Sequence, residues 1–210
     1  MARTHRNPEA RSHVVEAARR AIAAHGLRGA TVRAIAHEAG VLTGYVTHYF
    51  ETKQQLALAA LDHNNLLAGQ RALQASRSAR GLAAIAATIE ALLPVDDGRR
   101  LEWSVWIGFW TAPATDPGAA TGLQVARDAL ATILAGPFAD AVDDGELPAG
   151  LDFAYEAERL MVLASGIGLL VNGPSRDDAW RLGRRMLEDH LAQLRSLAAD
   201  RTSRKESSRR

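Results

Sequence analysis

TVRAIAHEAGVLTGYVTHYFETK, residues 31–53, reads as two short helices joined by a tight turn and followed at once by a third. In the first, Val32, Ile35, Ala36 and Ala39 recur at i, i+3, i+4 and i+7, one apolar stripe with Arg33, His37 and Glu38 off it. Gly40 ends that helix, because glycine takes the left-handed cap conformation without a Cβ penalty and lets Val41 turn back into a core. The second helix starts at about Thr43. Val46 and Phe50, four apart, point inward and leave Thr43, Gly44, Tyr45, Thr47, His48 and Tyr49 on or beside the open face. Burial alone does not call for so many hydrogen-bonding side chains on one short helix, and they suit a DNA major groove. Thr52 and Gln55 have the spacing of a capping box, so a third helix opens with Lys53 in its first turn, where free N–H groups favour a phosphate.

Charge is divided in the same sense. The net +1 combines +4 over residues 1–53, from eight Lys/Arg and four Asp/Glu, with +4 over residues 201–210, which leaves −7 for residues 54–200. The basic excess coincides with the helix-turn-helix, as electrostatic attraction to a phosphate backbone requires. RTSRKESSRR, residues 201–210, has no apolar residue and is expected to be a disordered basic tail. The chain contains no cysteine, which removes disulfides, thiol catalysis and zinc-thiolate sites together. No apolar run reaches the ~18 residues of a membrane span, and the expected setting is cytoplasmic.

Asn7-Pro8-Glu9 is a helix start, with Asn as cap and Pro at the first helical position; Val14, Ala18 and Ile22 continue it to His25-Gly26. The helix from Thr52 runs through Leu56, Ala59, Ala60, Leu66 and Leu67 to about Ala75 and is the natural mechanical link to the rest of the chain. Further helices are expected over about 82–93, 99–111, 118–143 with a break or kink at Gly136-Pro137, 151–171, and 175–198 after the stop Asn172-Gly173-Pro174. The predicted fold is therefore all-α. It comprises an N-terminal three-helix DNA-binding bundle (1–53), a larger helical domain for effector binding and dimerisation (54–200), and the tail (201–210).

Two features of the larger domain carry candidate sites. Trp103, Trp106 and Trp110 fall at i, i+3 and i+7 of one helix with Phe109 beside them. Such a row packs a core or walls a pocket for flat or cationic ligands, and both readings stay open. The last two helices carry Leu160, Leu163, Ala164 and Ile167, then Leu187, Leu191 and Leu194, which serve equally as internal core or as a dimer face. A two-fold dimer is what a helix-turn-helix normally uses to read two half-sites.

Through Thr31, Ile35, Ala36, Ala39-Gly40-Val41, Gly44, Tyr49-Phe50 and Lys53 the chain resembles the TetR family of bacterial transcription regulators. The resemblance implies a homodimeric, ligand-responsive repressor that binds a palindromic operator. It places Arg33, Thr43, Tyr45 and His48 toward bases and Thr31, Thr47, Tyr49 and Lys53 toward phosphates. The family has Ser or Thr where this chain has Leu42, which passes the cap to Thr43. An aromatic is common where Thr47 stands. Trp-x-x-Phe-Trp followed by Asp116-Pro117 is similar to the BetI-like, choline-responsive type, which implies a cationic or aromatic effector with Glu102 or Glu90 as counter-charge; both acids serve equally as solvated surface residues.

Other classes have less support. His37-Glu38 lacks the second His of a zinc helix, and neither a Gly-x-Ser-x-Gly elbow nor a phosphate-cradling glycine loop occurs, so no metal, cofactor or catalytic residue is expected. A helical adaptor acting through protein partners is the alternative to a regulator.

Overall fold

The computed structural model describes residues 7–111, 117–172 and 176–207, which form nine helices and no strand. They are α1 (Pro8–Gly29), α2 (Val32–Glu38), α3 (Thr43–Tyr49), α4 (Lys53–Ser76), α5 (Gly81–Leu92), α6 (Asp97–Trp110), α7 (Pro117–Asp143), α8 (Phe153–Val171) and α9 (Arg176–Ser207). No helix among the described residues is long and apolar enough to cross a membrane.

Most boundaries follow local chemistry. Asn7 Oδ1 accepts from the Glu9 amide and Pro8 takes the first helical position of α1, whose regular course breaks at Gly26 (φ 67°, ψ 170°) before one last turn. Of the expected break or kink at Gly136-Pro137 there is no break: α7 runs helical through both residues. An interior proline removes one helical hydrogen bond, but Leu134, Phe138 and Ala141 are fully buried and hold both halves helical. α9 is helical to Ser207, where a tail without secondary structure is expected from 201; an established helix extends without a new nucleation cost. Residues 173–175 of the expected stop and start, Asp116, and 208–210 lie outside the described residues.

By packing the chain divides into two compact units, residues 1–67 with 94–125, and residues 68–93 with 126–210. The expected DNA-binding segment 1–53 lies within the first, and 54–200 is shared. In the first unit α6 packs on α1; a Cβ added at Gly108 would stand 3.3 Å from Ile22 Cγ2, so glycine there permits close approach of the two helices. The second unit is centred on Ile85 and Ile89 of α5, with Leu134 and Phe138 of α7 and Leu160 of α8.

The start of α5 depends on a distant residue. Arg80 supplies no side-chain cap, and the Leu82 amide instead donates to Glu146 Oε2 at 2.7 Å, a carboxylate at the positive end of the helix.

Glu156, His190 and Arg159 make a second polar group in that unit. Arg159 Nη1 donates to both Glu156 oxygens (2.9 and 3.1 Å), and His190 Nε2 lies 3.5 Å from Glu156 Oε2 without a hydrogen-bond partner among the described residues. Burial, and then the Arg159 charge, push the His190 imidazole below its ordinary range against the opposing pull of Glu156. A histidine kept neutral by folding binds its proton more readily when unfolded. Its contribution to stability is therefore complete above the unfolded value of about 6.5 and is lost as pH falls through the lower folded value. Urea midpoints are expected to fall between about pH 7.5 and 5, and His190→Gln should flatten that slope; an equal slope in the variant would assign the effect to other groups.

Candidate DNA interface and aromatic corner

The motif is built as its residue types require. Thr31 caps α2, its Oγ1 accepting from the Ala34 amide at 3.1 Å. Ile35, Ala36, Val46 and Phe50 are buried, and the Arg11 guanidinium lies 4.8 Å from the centroid of the Phe50 ring. Gly40 adopts φ +66°, which lets α2 end and the Val41 amide bond back to the Ala36 carbonyl. Thr52 Oγ1 accepts from the Gln55 amide, while the Gln55 side chain reaches back to the Glu51 amide, so the capping pair closes one residue earlier than the usual box.

α3 then presents Thr43, Gly44, Tyr45, Thr47 and His48 to solvent, with Arg33 exposed on α2 and Tyr49 half-buried. Tyr49 meets the Tyr45 ring at 5.4 Å and the His48 ring edge-on at 5.0 Å, which stiffens the polar face. Besides Thr31, whose hydroxyl caps α2, two of the expected phosphate residues hold backbone carbonyls within the chain. Thr47 Oγ1 donates to the Gly44 carbonyl at 3.2 Å, and Lys53 Nζ donates to the Arg28 carbonyl at 2.9 Å. Lys53 keeps capacity for a phosphate, since the ammonium has two further N–H groups, whereas the single O–H of Thr47 must leave the Gly44 carbonyl before it can donate to one.

The cap of α3 does not pass to Thr43. Leu42 occupies the N-cap with extended backbone and no side-chain bond, its carbonyl already accepting from the Tyr45 amide, so the Thr43 hydroxyl stays on the open face. Leu42 itself is 83% exposed. A serine at an N-cap is worth about 1 kcal/mol over a residue that cannot cap. Leu42→Ser is therefore expected to raise the urea midpoint at unchanged slope, and a lower midpoint would mean that Leu42 is held by contacts of its own.

The tryptophans form a corner in the first unit. Trp103 meets Trp106 at 5.2 Å and 83° and Trp110 at 5.8 Å and 72°, so both neighbours stand edge-on to it. Trp103, Trp106 and Phe109 are buried, and Trp110 is 41% exposed at the outer end. Trp106 Nε1 donates to Asn65 Oδ1 at 2.8 Å, and Asn65 Nδ2 donates to the Gly122 carbonyl at 2.9 Å. Glu102, one helical turn before Trp106, is buried, whereas Glu90 is exposed; of the two expected counter-charges only Glu102 has left the solvated surface.

The residues expected at a dimer face need correction. Leu160, Ala164, Ile167, Leu187 and Leu194 are core residues of the second unit, and Leu163 and Leu191 are partly buried against that core. Ile167 fills the space beside Gly183 of α9, where an added Cβ would stand 2.6 Å from it. Both faces of α8 are apolar, and the row through Leu160 and Ile167 is the inner one. The outer one carries Tyr155, Val162 and Leu169 at seven-residue intervals with Leu170 beside them, and Leu182 and Met186 are exposed on α9. Sequence reasoning also missed Asn64 and Asn65, whose one signal is a pair of poor helix formers inside a long apolar helix.

Known families match both parts of the chain. A profile described as "Bacterial regulatory proteins, tetR family" covers residues 14–60, and one described as "BetI-type transcriptional repressor, C-terminal" covers residues 81–196. The HTH-type transcriptional regulator BetI of Burkholderia thailandensis is 27% identical over 165 residues, 78% of each chain. A solved transcriptional regulator from Saccharomonospora viridis in complex with choline is 26% identical, with a TM-score of 0.76 over 89% of this chain and 97% of that one. FadR of Bacillus subtilis in complex with stearoyl-CoA, 19% identical with a TM-score of 0.71 over 84% of this chain and 95% of that one, shares the fold. With its helix-turn-helix, its helical remainder and these matches, the chain belongs to the TetR family as a ligand-responsive DNA-binding transcriptional regulator with a BetI-type C-terminal domain.

Proposed function

We propose that this regulator is a homodimeric repressor that holds a palindromic operator and releases it when a quaternary ammonium compound of the choline type occupies the corner formed by Trp103, Trp106 and Trp110. The observation that carries the effector class is the set of three indoles meeting edge to face, with Trp106 fixed through Asn65. Ring faces attract a cation that cannot donate hydrogen bonds, by up to about 2 kcal/mol for a desolvated ring. The choline-bound Saccharomonospora viridis regulator supports this class, and buried Glu102 supplies the counter-charge.

On DNA, Arg33, Thr43, Tyr45 and His48 read bases, while Thr31, Thr47, Tyr49 and Lys53 take phosphates, with Gly44 allowing close approach of α3. The dimer forms through the outer face of α8 and α9, at Val162, Leu169, Leu170, Leu182 and Met186. Effector binding moves the paired α3 helices away from the spacing of about 34–36 Å that two half-sites one turn apart demand.

Binding-site selection followed by anisotropy tests this reading. Wild-type affinity for the selected palindrome should fall steeply with salt, and choline should release it with a change in tryptophan emission. Arg33→Ala or Tyr45→Ala should relax preference at individual positions by about 1–3 kcal/mol, and Lys53→Ala should weaken every sequence alike. Release by flat apolar compounds but not by choline would move the effector to another class, and the same sequence preference in every variant would refute the base-reading residues.

A further inference from the structure

Asn64 and Asn65 are consecutive on α4, so their side chains leave the helix about 100° apart and serve different neighbours. Asn65 holds Trp106 of α6 and the Gly122 carbonyl of α7, as described. Asn64 is fully buried; its Nδ2 donates to the Glu102 carbonyl of α6 at 3.3 Å, and its Oδ1 accepts from Arg19 Nε of α1 at 3.2 Å. Arg19 is itself buried and donates from Nη1 to Glu16 Oε2 at 2.6 Å. The other oxygen of Glu16 faces Arg20 Nη1 at 3.6 Å, and Arg20 Nε donates to Glu38 Oε1 of α2 at 2.6 Å. His63 Nε2, also on α4, stands 3.6 Å from Glu16 Oε2. A polar chain thus leads from the indole of Trp106, across the α4 backbone between Asn65 and Asn64, to Arg19, buried at Asn64 and Arg19, and then through the partly exposed ion pairs Glu16–Arg20 and Arg20–Glu38 to the first helix of the DNA-binding motif, with every member in the same compact unit.

Buried polar groups resist partial displacement. A hydrogen bond pulled apart in the interior leaves both partners without water, so such a network holds one arrangement until another satisfies it. An apolar contact would slide instead. We propose that the Asn64-Asn65 pair is the positioning element that couples the aromatic corner to α1 and, through Arg20 and Glu38, to α2: a ligand that shifts Trp106 turns this segment of α4, and the turn is delivered to Arg19. The proposal rests on the reading of the tryptophan corner as the effector site.

Asn64→Leu tests it selectively. The apolar side chain of similar size removes the acceptor for Arg19 Nε, so the link from α4 to α1 is cut while Asn65 still holds Trp106 of α6. Choline binding is read on the DNA-free protein by tryptophan emission, and affinity for the selected palindrome is read by anisotropy with and without saturating choline. The variant is expected to bind each partner alone within about threefold of wild type, while the factor by which choline weakens DNA binding falls from about tenfold or more to within about twofold of unity. Arg20→Gln, at a position accessible enough to spare folding, should lower the factor in the same way. A wild-type factor in both variants overturns the relay.

Failure of choline to bind the wild-type protein would instead remove the effector reading. The relay is then decided by a double-mutant cycle of Trp106→Phe with Arg20→Gln on DNA affinity alone. Non-additivity of about threefold or more supports it, and additivity refutes it.

Discussion

Val162→Arg combined with Leu169→Arg is expected to give a folded monomer whose affinity for the palindromic operator is lower by about 10²–10⁴-fold, the usual gain from tethering two binding modules. Both residues lie on the outer face of α8, 69% and 54% exposed, so arginine meets water in the isolated subunit and costs the fold little. In the proposed dimer the same side chains are covered, and two added charges on each subunit face each other across the two-fold axis. Leu160→Arg on the inner face is the control. It places a charge in the core of a single subunit and should prevent folding at any concentration. Sedimentation with circular dichroism separates the cases, and a folded dimer in the double variant would place the interface elsewhere.

Phe138→Ala should destabilise the protein by about 3–5 kcal/mol, the range for removing a buried aromatic ring. The side chain is fully buried in α7 and lies 5.3 Å from Phe153, nearly parallel to it at 11°. Little can collapse into the gap, because α7 must already stay helical through the adjacent Pro137. Total stability of ordinary domains is about 5–15 kcal/mol, so the loss would be a large part of it. Urea unfolding at one fixed protein concentration measures it, since dimerisation adds to apparent stability. A loss below about 1 kcal/mol would mean that the ring does not occupy this core.

The DNA-reading motif was legible because its signals are local. Thr31 as cap, Gly40 as a left-handed stop and the four-residue step from Val46 to Phe50 each constrain the backbone within a few residues. α8 was only half legible. Its period is helical on both sides, and nothing local tells whether the row of Leu160 and Ile167 or that of Val162 and Leu169 turns inward; α7 and α9 decide it. Glu102 and Asn64 failed for another reason. A polar side chain on a helix reads as surface until the distant residue that satisfies it is known, and for Asn64 the partners stand 45 positions before it and 38 after it.

The contact of α1 with α6 also bears on biosynthesis. Ile22 and Gly108, which face each other across it, are more than eighty residues apart in the chain. A ribosome adding roughly 5–20 residues per second needs several seconds to deliver the second after the first. For most of that interval the helix-turn-helix segment is already synthesised and α2 can pack on α1, yet the part of α1 that α6 covers stays open to water. A fragment ending at residue 53 would keep that part uncovered, so the DNA reader of this protein is completed late in its own translation.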